Sequence, residues 1–435
     1  MNPTSSSGSR RQFLRAGGAL AAAGSTIPVA LGARLASDSK ETLKIGLVGC
    51  GGRGGGAATN ALRADPNVKL VALADAFPDQ LSRKLQSLKS QTDIADRIDV
   101  PEDRQYVGFD AYKDVIDQVD VVLLATSPYF RPLHVEYAVE KETHAFVEKP
   151  IATDAPGVRR MRAACDKAAE KGISISSGLC YRYQHAKQAT LQRVHDGMIG
   201  EIKSMECTYN TGGLWHRGRK PEWSEMEYQM RNWLYFTWLS GDHIAEQHIH
   251  SLDKLAWAMK DEPPVKATAS GGRIVRSDEQ WGNIYDHFNT VFEWKGGVKG
   301  FSSCRQWVGA DGNVSDFVVG TKGTAALQSH RIQLTDPGPG EEGKWRYRGE
   351  GPDDMYQNEH DVLFAALRAG DRIDNSDYMC KSTMMAIMAR MSAYTGKSIT
   401  WDMAWNSKED LSPPAYDWTD MEMRPVAQPG VTPFS

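Results

Sequence analysis

Leu43-Lys44-Ile45-Gly46-Leu47-Val48-Gly49-Cys50-Gly51-Gly52-Arg53-Gly54 is the stretch on which the reading of this chain turns. Its first six residues are a short apolar, β-branched run, the pattern of a buried strand. Gly49, Gly51 and Gly54 then occupy the places of a G-x-G-x-x-G turn, and an alanine-rich helical stretch from Gly56 to Arg63 follows. The first glycine permits a tight turn, the second lets backbone approach a pyrophosphate, and the third lets helix and strand pack closely. With Gly52 and Arg53 they form a loop whose exposed N–H groups, at the positive end of a helix, suit a diphosphate. A second strand, Lys69 to Ala74, ends at Asp75, about 20 residues beyond Gly54, where a carboxylate accepts from a ribose 2′-hydroxyl and repels a 2′-phosphate. The expected cofactor is therefore NAD; Arg53, a cation in the same loop, leaves NADP open.

The alternation continues outward. Asp120 to Ala125 reads as an apolar strand ending in Thr126-Ser127-Pro128, His134 to Glu142 as a helix, and His144 to Val147 as a strand closed by Glu148-Lys149-Pro150. Val158 to Lys171 reads as a helix and Ile173 to Ser177 as a strand. Continuous apolar strands between helices indicate a parallel sheet covered on both faces. Ligands of such sheets sit at the C-terminal strand ends, so Gly49, Asp75, Thr126, Lys149 and Tyr181 are expected to converge on one cleft. His134 either faces that cleft or is a packing histidine.

The whole chain has 435 residues, 41% hydrophobic and 24% charged, with a formal net charge of −4. That length predicts two to three domains. The composition excludes a collagenous or wholly disordered chain, and the charge offers no basic excess for nucleic acid. No run is long and apolar enough for stable membrane insertion. The six cysteines are scattered without metal-finger spacing, so no metal is expected on them. Residues 9–15, S-R-R-Q-F-L-R, precede a charge-free Gly/Ala-rich run from Ala16 to Gly32. This resembles a twin-arginine signal over residues 1–33, predicting export to the periplasm or an equivalent compartment.

The glycine-loop strand, the A-T-S-P after a later strand and the Glu148-Lys149-Pro150 tripeptide followed by Ile151-Ala152 together resemble the Gfo/Idh/MocA oxidoreductases, from about Leu43 to Trp401. The resemblance implies an N-terminal Rossmann domain and a C-terminal α/β domain with a large, mostly antiparallel, open-faced sheet. It also implies a nicotinamide cofactor, a sugar or polyol-like substrate and frequent oligomers, here a homo-oligomer (dimer or tetramer). A second family motif, G-G-G-x-x-x-D-x-x-x-H on a helix, matches Ser240 to His250 in part. Its histidine falls on His250 and its aspartate on Glu246; of its glycines only Gly241 is kept, and Asp242 stands where substrate would approach. Many members carry histidine where this chain has Tyr129.

Oxidation of an alcohol needs hydride transfer while the hydroxyl proton leaves to a base. Histidine titrates near neutrality, so His250 is the expected acid/base. Lys149 is expected to steady the reacting oxygen. Glu246 at i, i+4 is expected on the same helical face, orienting His250 or a substrate hydroxyl. Blander roles stay open: an ion-pair partner for Lys149, a solvated acid for Glu246, and for His243, Glu246 and His250 a metal set. Tyr181, Arg182 and Asp242 are placed with the substrate. In the polar loop Thr211 to Trp223, Trp215 and Trp223 would stack on a sugar and Arg217 or Arg219 bind its oxygens, unless the tryptophans are packing residues.

Strands are expected at Glu201–Tyr209, Val265–Val275, Asn289–Trp294, Val298–Cys304, Asp316–Gly320, Ala325–Leu327 and Trp345–Gly349. Helices at Tyr356–Ala369 and Ser376–Gly396 are expected to complete that second domain. The expected divisions are 1–33 signal, 34–42 linker, 43–180 dinucleotide domain, 181–402 substrate domain and 403–435 a proline-rich arm, lying on the surface or embracing another subunit. The activity so implied is hydride transfer between NAD(P) and a sugar, polyol or derivative. Two alternatives are a glycosidase that oxidises, eliminates and reduces with retained NAD, and a catalytically idle sugar binder.

Overall fold

The computed structural model describes residues 41–340 and 342–435; the signal expected at 1–33 lies outside the described residues. The apolar run becomes β1 (Leu43–Val48), buried everywhere except Lys44. After it come α1 (Gly52–Ala64), β2 (Val68–Asp75), α2 (Pro78–Lys89), β3 (Gln105–Val107), α3 (Ala111–Ile116), β4 (Val121–Leu124), α4 (Arg131–Glu140), β5 (His144–Val147), α5 (Ala155–Glu170) and β6 (Ile175–Ser177). The six strands form one parallel sheet in the order β3-β2-β1-β4-β5-β6. That is the doubly wound dinucleotide-binding order. β4 is buried at every position, as a strand covered on both faces must be.

The chain then forms α6 (His185–His195), β7 (Ile202–Thr211), α7 (Glu225–Arg231), α8 (Thr237–Ser240), α9 (His243–Glu246) and α10 (Ile249–Ala258). Next come β8 (Lys266–Gly272), β9 (His287–Glu293), β10 (Lys299–Gln306), β11 (Asn313–Gly320), β12 (Gly323–Ala326), β13 (Arg331–Leu334) and β14 (Lys344–Arg346). With β15 (Ile399–Thr400) these make a nine-stranded sheet ordered β14-β13-β12-β11-β7-β10-β9-β8-β15. Its pairs are antiparallel except β7 with β10. Burial alternates along β10, so one face of the sheet packs inward and the other is open. The α/β fold with a large, mostly antiparallel second sheet is as expected.

Two local expectations are corrected. The Ser240–His250 stretch is not one helix. Gly241 (φ +76) ends α8, Asp242 (φ +69) starts α9, and the chain breaks again before α10. The late helix α11 (Met355–Ala369) does not complete the second domain; its Leu363, Phe364 and Leu367 pack into the core of β1 and α1. The final segment, after α12 (Ser376–Thr395) and α13 (Trp401–Asn406), lies on its own chain, with Tyr285 donating to the Ala427 carbonyl at 2.9 Å. α12 is buried almost all round and packs on α5, α9, α10 and β8, tying the two sheets together.

Candidate active site

The glycine loop meets the steric demands that put glycine there. At Gly49 (φ +98) a Cβ would lie 2.6 Å from the Ala125 and Thr126 backbone, and at Gly54 it would overlap the Gly49 carbonyl oxygen. At Gly51 and Gly52 a Cβ would meet nothing within 4 Å, so this side of the turn is open. α1 has no side-chain cap and no acid in its first turn, leaving its first N–H groups for an anion. Asp75 closes the turn from behind: Cys50 N donates to Oδ2 at 2.6 Å and Phe77 N to Oδ1 at 2.9 Å. A carboxylate oxygen accepts more than one bond, so Asp75 can still receive a ribose hydroxyl. Burial raises its pKa. These features fit a dinucleotide, which would lie in a cleft of about 540 Å³ lined by Gly49, Gly51, Asp75, Thr126, Glu246 and Gln247, among others.

At the β5 end, Lys149 Nζ donates to the Glu246 carbonyl oxygen and lies 3.2 Å from Glu246 Oε1. Glu246 faces the cleft, so Lys149 meets the cleft wall through it. His250 is buried, and its Nδ1 has no partner among the described residues. Burial first, then the Lys149 ammonium, hold its pKa well below the ordinary histidine value. The ring is therefore a neutral imidazole, not one poised at neutrality. Because the helix is broken, Glu246 and His250 do not share an i, i+4 face; Lys149 is their common neighbour.

Arg53 is also re-placed. Its Nε lies 2.5 Å from Glu148 Oε1, its Nη2 lies 2.5 Å from Glu359 Oε1, and the guanidinium sits over the Tyr356 ring. Two carboxylates thus hold it, so it is no free cation for a 2′-phosphate. Glu148 also accepts from the Lys149 backbone N–H at 3.2 Å. Glu359, fully buried on α11, gives no signal in sequence beyond a helical acid. Arg131 has no sequence signal either: buried, it donates to the Thr126 carbonyl at 2.6 Å and the Pro150 carbonyl at 2.5 Å, fixing two strand-end loops together.

Other expected site residues stand elsewhere. Arg182 is buried between Asp253 (2.7 Å) and Asp261 (2.6 Å), away from the cleft. Asp242 is fully buried and holds structure: Oδ2 accepts from Tyr285 N at 2.8 Å and from the Tyr394 hydroxyl at 2.5 Å, while Oδ1 accepts from His243 N. These bonds keep a non-glycine residue at positive φ, a conformation aspartate tolerates better than most. Tyr181 is not on the cleft wall; its ring meets the His250 ring edge-on at 5.2 Å. His134 lines the cleft but stacks on Tyr112 at 4.2 Å, and burial lowers its pKa to about 3. His243 faces Cys304, and no group of three candidate ligands among the described residues can hold a metal. Trp215 and Arg217 do line the cleft, near Phe77 and Gln80.

Both domains match known proteins. Residues 43–176 match the oxidoreductase family model with an NAD-binding Rossmann fold, and 187–326 match the GFO/IDH/MocA C-terminal domain. An inositol 2-dehydrogenase of Rhizobium meliloti is 24% identical over 292 residues, covering 67% of this chain and 77% of the relative. A glycosyl hydrolase family 109 protein of Porphyromonas gingivalis is 27% identical over 180 residues, 40% of this chain; the match spans only 36% of that relative. Among solved structures, GenD2 from gentamicin A biosynthesis in complex with NAD superposes with a TM-score of 0.62 at 19% identity, covering 84% of this chain and 97% of that one. An aldose-aldose oxidoreductase from Caulobacter crescentus gives 0.63 at 20% identity, covering 83% and 100%. Strand order, open glycine turn and the two matched regions together place this chain in the Gfo/Idh/MocA oxidoreductase family, with an NAD-binding Rossmann fold as its first domain.

Proposed function

We propose that this protein is an exported NAD-dependent oxidoreductase that moves hydride to or from a CH–OH carbon of a sugar, polyol or derivative. The observation that carries this is the contact of Lys149 with Glu246, the one of the three expected catalytic residues that lines the cleft, with His250 buried behind them. When bound, the nicotinamide supplies the hydride acceptor or donor. Lys149 donates to the reacting oxygen and offsets charge developing there. Glu246, which lines the cleft, holds the ammonium and is the carboxylate placed to receive the hydroxyl proton, while neutral His250 can accept a hydrogen bond on its unpartnered Nδ1. The relatives described as inositol 2-dehydrogenases support a polyol or sugar substrate.

The test is to denature purified protein, identify any released nucleotide by mass spectrometry, and titrate NAD(H). Absence of both release and binding would sink the reading. A panel of inositols and aldoses with NAD then defines the substrate.

A second reading, glycoside hydrolysis by oxidation, elimination and re-reduction, is favoured by the glycosyl hydrolase family 109 relatives. Steady release from p-nitrophenyl glycosides without added NAD would select it. Export is tested by fusing residues 1–33 to a reporter. A homo-oligomer is supported by Phe301 and Phe317, exposed and both in register with Glu206 on the open sheet face; light scattering measures its size.

A further inference from the structure

The cleft wall at the β2 end comes from the second domain. Trp215, Arg217 and Arg231 line it opposite Asp75, Phe77 and Gln80. Arg231 Nη2 lies 3.1 Å from Asp79 Oδ1, and its guanidinium sits 4.0 Å over the Phe77 ring. With the Gln80 amide turned so that its oxygen faces the loop, Arg217 donates to it from both terminal nitrogens at 3.0 Å. Buried Asn232 fixes that loop, accepting from Arg217 N at 2.8 Å and donating to the Arg217 carbonyl at 3.0 Å. β2 and β5 are three strand spacings apart in the sheet, about 14 Å. These side chains therefore face the adenosine end of a bound dinucleotide, not a monosaccharide reacting at Lys149.

Arg217 forms no ion pair among the described residues, while Arg83 and Arg231 crowd it. A cation whose terminal nitrogens reach only the neutral Gln80 amide, on a cleft wall opposite Asp75, points to an oxygen-rich ligand.

The C-terminal arm braces this wall from outside. Glu225 N donates to Asp420 Oδ1 at 3.0 Å and Met226 N to the Thr419 carbonyl at 3.3 Å, so the arm holds the start of α7. Trp418 rests on Phe109 (4.6 Å) and Phe77 (5.2 Å), both cleft-lining rings. Tyr416 bonds the Tyr129 hydroxyl at 2.7 Å. Three distant segments thus meet over one end of the cleft, joined largely by half-exposed contacts that can part without unfolding either sheet.

We infer that segment 212–235 and arm residues 416–420 form a clasp over the adenosine half of the dinucleotide, with Arg217 as the cation directed at its oxygens, and that the dinucleotide exchanges only when the arm undocks. This rests on the NAD-binding reading above.

The test is exchange of bound NAD against excess adenine-labelled NAD in the full chain, followed by rapid desalting. Trp418→Ala and Asp420→Ala are expected to exchange roughly tenfold faster than the parent, since losses of this kind appear in the off-rate. Arg217→Ala is expected to weaken NAD binding as well. Trp418→Leu keeps an apolar side chain while removing the ring contacts with Phe77 and Phe109, and serves if a larger change prevents folding; thermal melting establishes that each variant is folded. Arm variants that exchange at the parent rate, or a parent that exchanges within the desalting time, overturn the clasp and leave NAD binding standing. A parent that binds no NAD overturns both.

Discussion

At the β2 end of the cleft the carboxylates are partnered: both Asp75 oxygens accept backbone N–H, and Asp79 pairs with Arg231, which also pairs with Glu227, so that Arg217 alone of these groups has no ion pair among the described residues. At the β5 end the polar groups are buried and under-satisfied. His250 Nδ1 and Glu359 Oε2 have no partner among the described residues, and burial drives the His250 pKa down and the Glu359 pKa up. Saturated groups fix a ligand's position, whereas unpaired groups with displaced pKa values are the ones left to exchange protons and charge with a reacting molecule. On this contrast, substitutions at the β5 end should change rates, and those at the β2 end should change binding.

The largest expected effect is at Lys149. Lys149→Ala removes the cation paired with Glu246, and kcat should fall roughly 10³-fold with NAD affinity nearly unchanged. Stopped-flow measurement of NADH formation separates the two; a loss confined to NAD binding would erase the distinction between the ends. Next is Arg53→Ala. It strips both Glu148 and Glu359 of their cation, and breaking a buried pair costs about 3–5 kcal/mol. Urea titration should show that loss in folding stability. Glu359→Gln, which removes a charge as well as a partner, should cost less.

At the opposite end, Asp75→Ala should weaken NAD binding about tenfold, about 1.4 kcal/mol, and raise NADP binding relative to NAD. Calorimetry with both nucleotides checks it. An unchanged preference would mean that Asp75 serves only to hold Cys50 N and Phe77 N.

What sequence could show of each end follows from chain distance. The β2 end is legible where it is local: strand, glycine turn, helix and Asp75 lie within one βαβ unit, and each has a steric or periodic signature. Lys149 is legible through its tripeptide at a strand end. The companions of these residues are not. Arg53 meets Glu359 across 306 positions of chain, and a helical glutamate reads as solvated until a fold buries it. The Ser240–His250 stretch misleads because its spacing suits an unbroken helix, whereas positive φ at Gly241 and at Asp242 turns the chain there. Asp242 keeps that conformation only through partners as distant as Tyr285 and Tyr394, which local sequence does not reveal. Arg182 has a plausible address after a strand, yet Asp253 and Asp261, from and just beyond α10, claim it.

The smallest effect concerns acid, and it has opposite signs at the two ends. His134 in the cleft floor has its pKa lowered to about 3 by burial, against 6.5 for an ordinary histidine. Between those values the unfolded chain binds a proton that the folded chain refuses, so stability falls as pH drops, by about 1.4 kcal/mol per pH unit per such group. Buried His250 and His360 act in the same direction. Asp75 is the reverse case: burial raises its pKa above 3.8, so the folded chain binds the proton more tightly, and acid in that range favours folding. His134→Gln should therefore flatten the loss of stability between pH 6.5 and 5.5 by nearly one proton's worth, and Asp75→Asn should remove the gain in stability that acid brings through that carboxylate. Chemical denaturation at several pH values measures both slopes. Equal slopes for His134→Gln and the parent would mean that acid reaches the His134 ring in the folded protein, and that the cleft floor is not the dry surface its stacking on Tyr112 makes it.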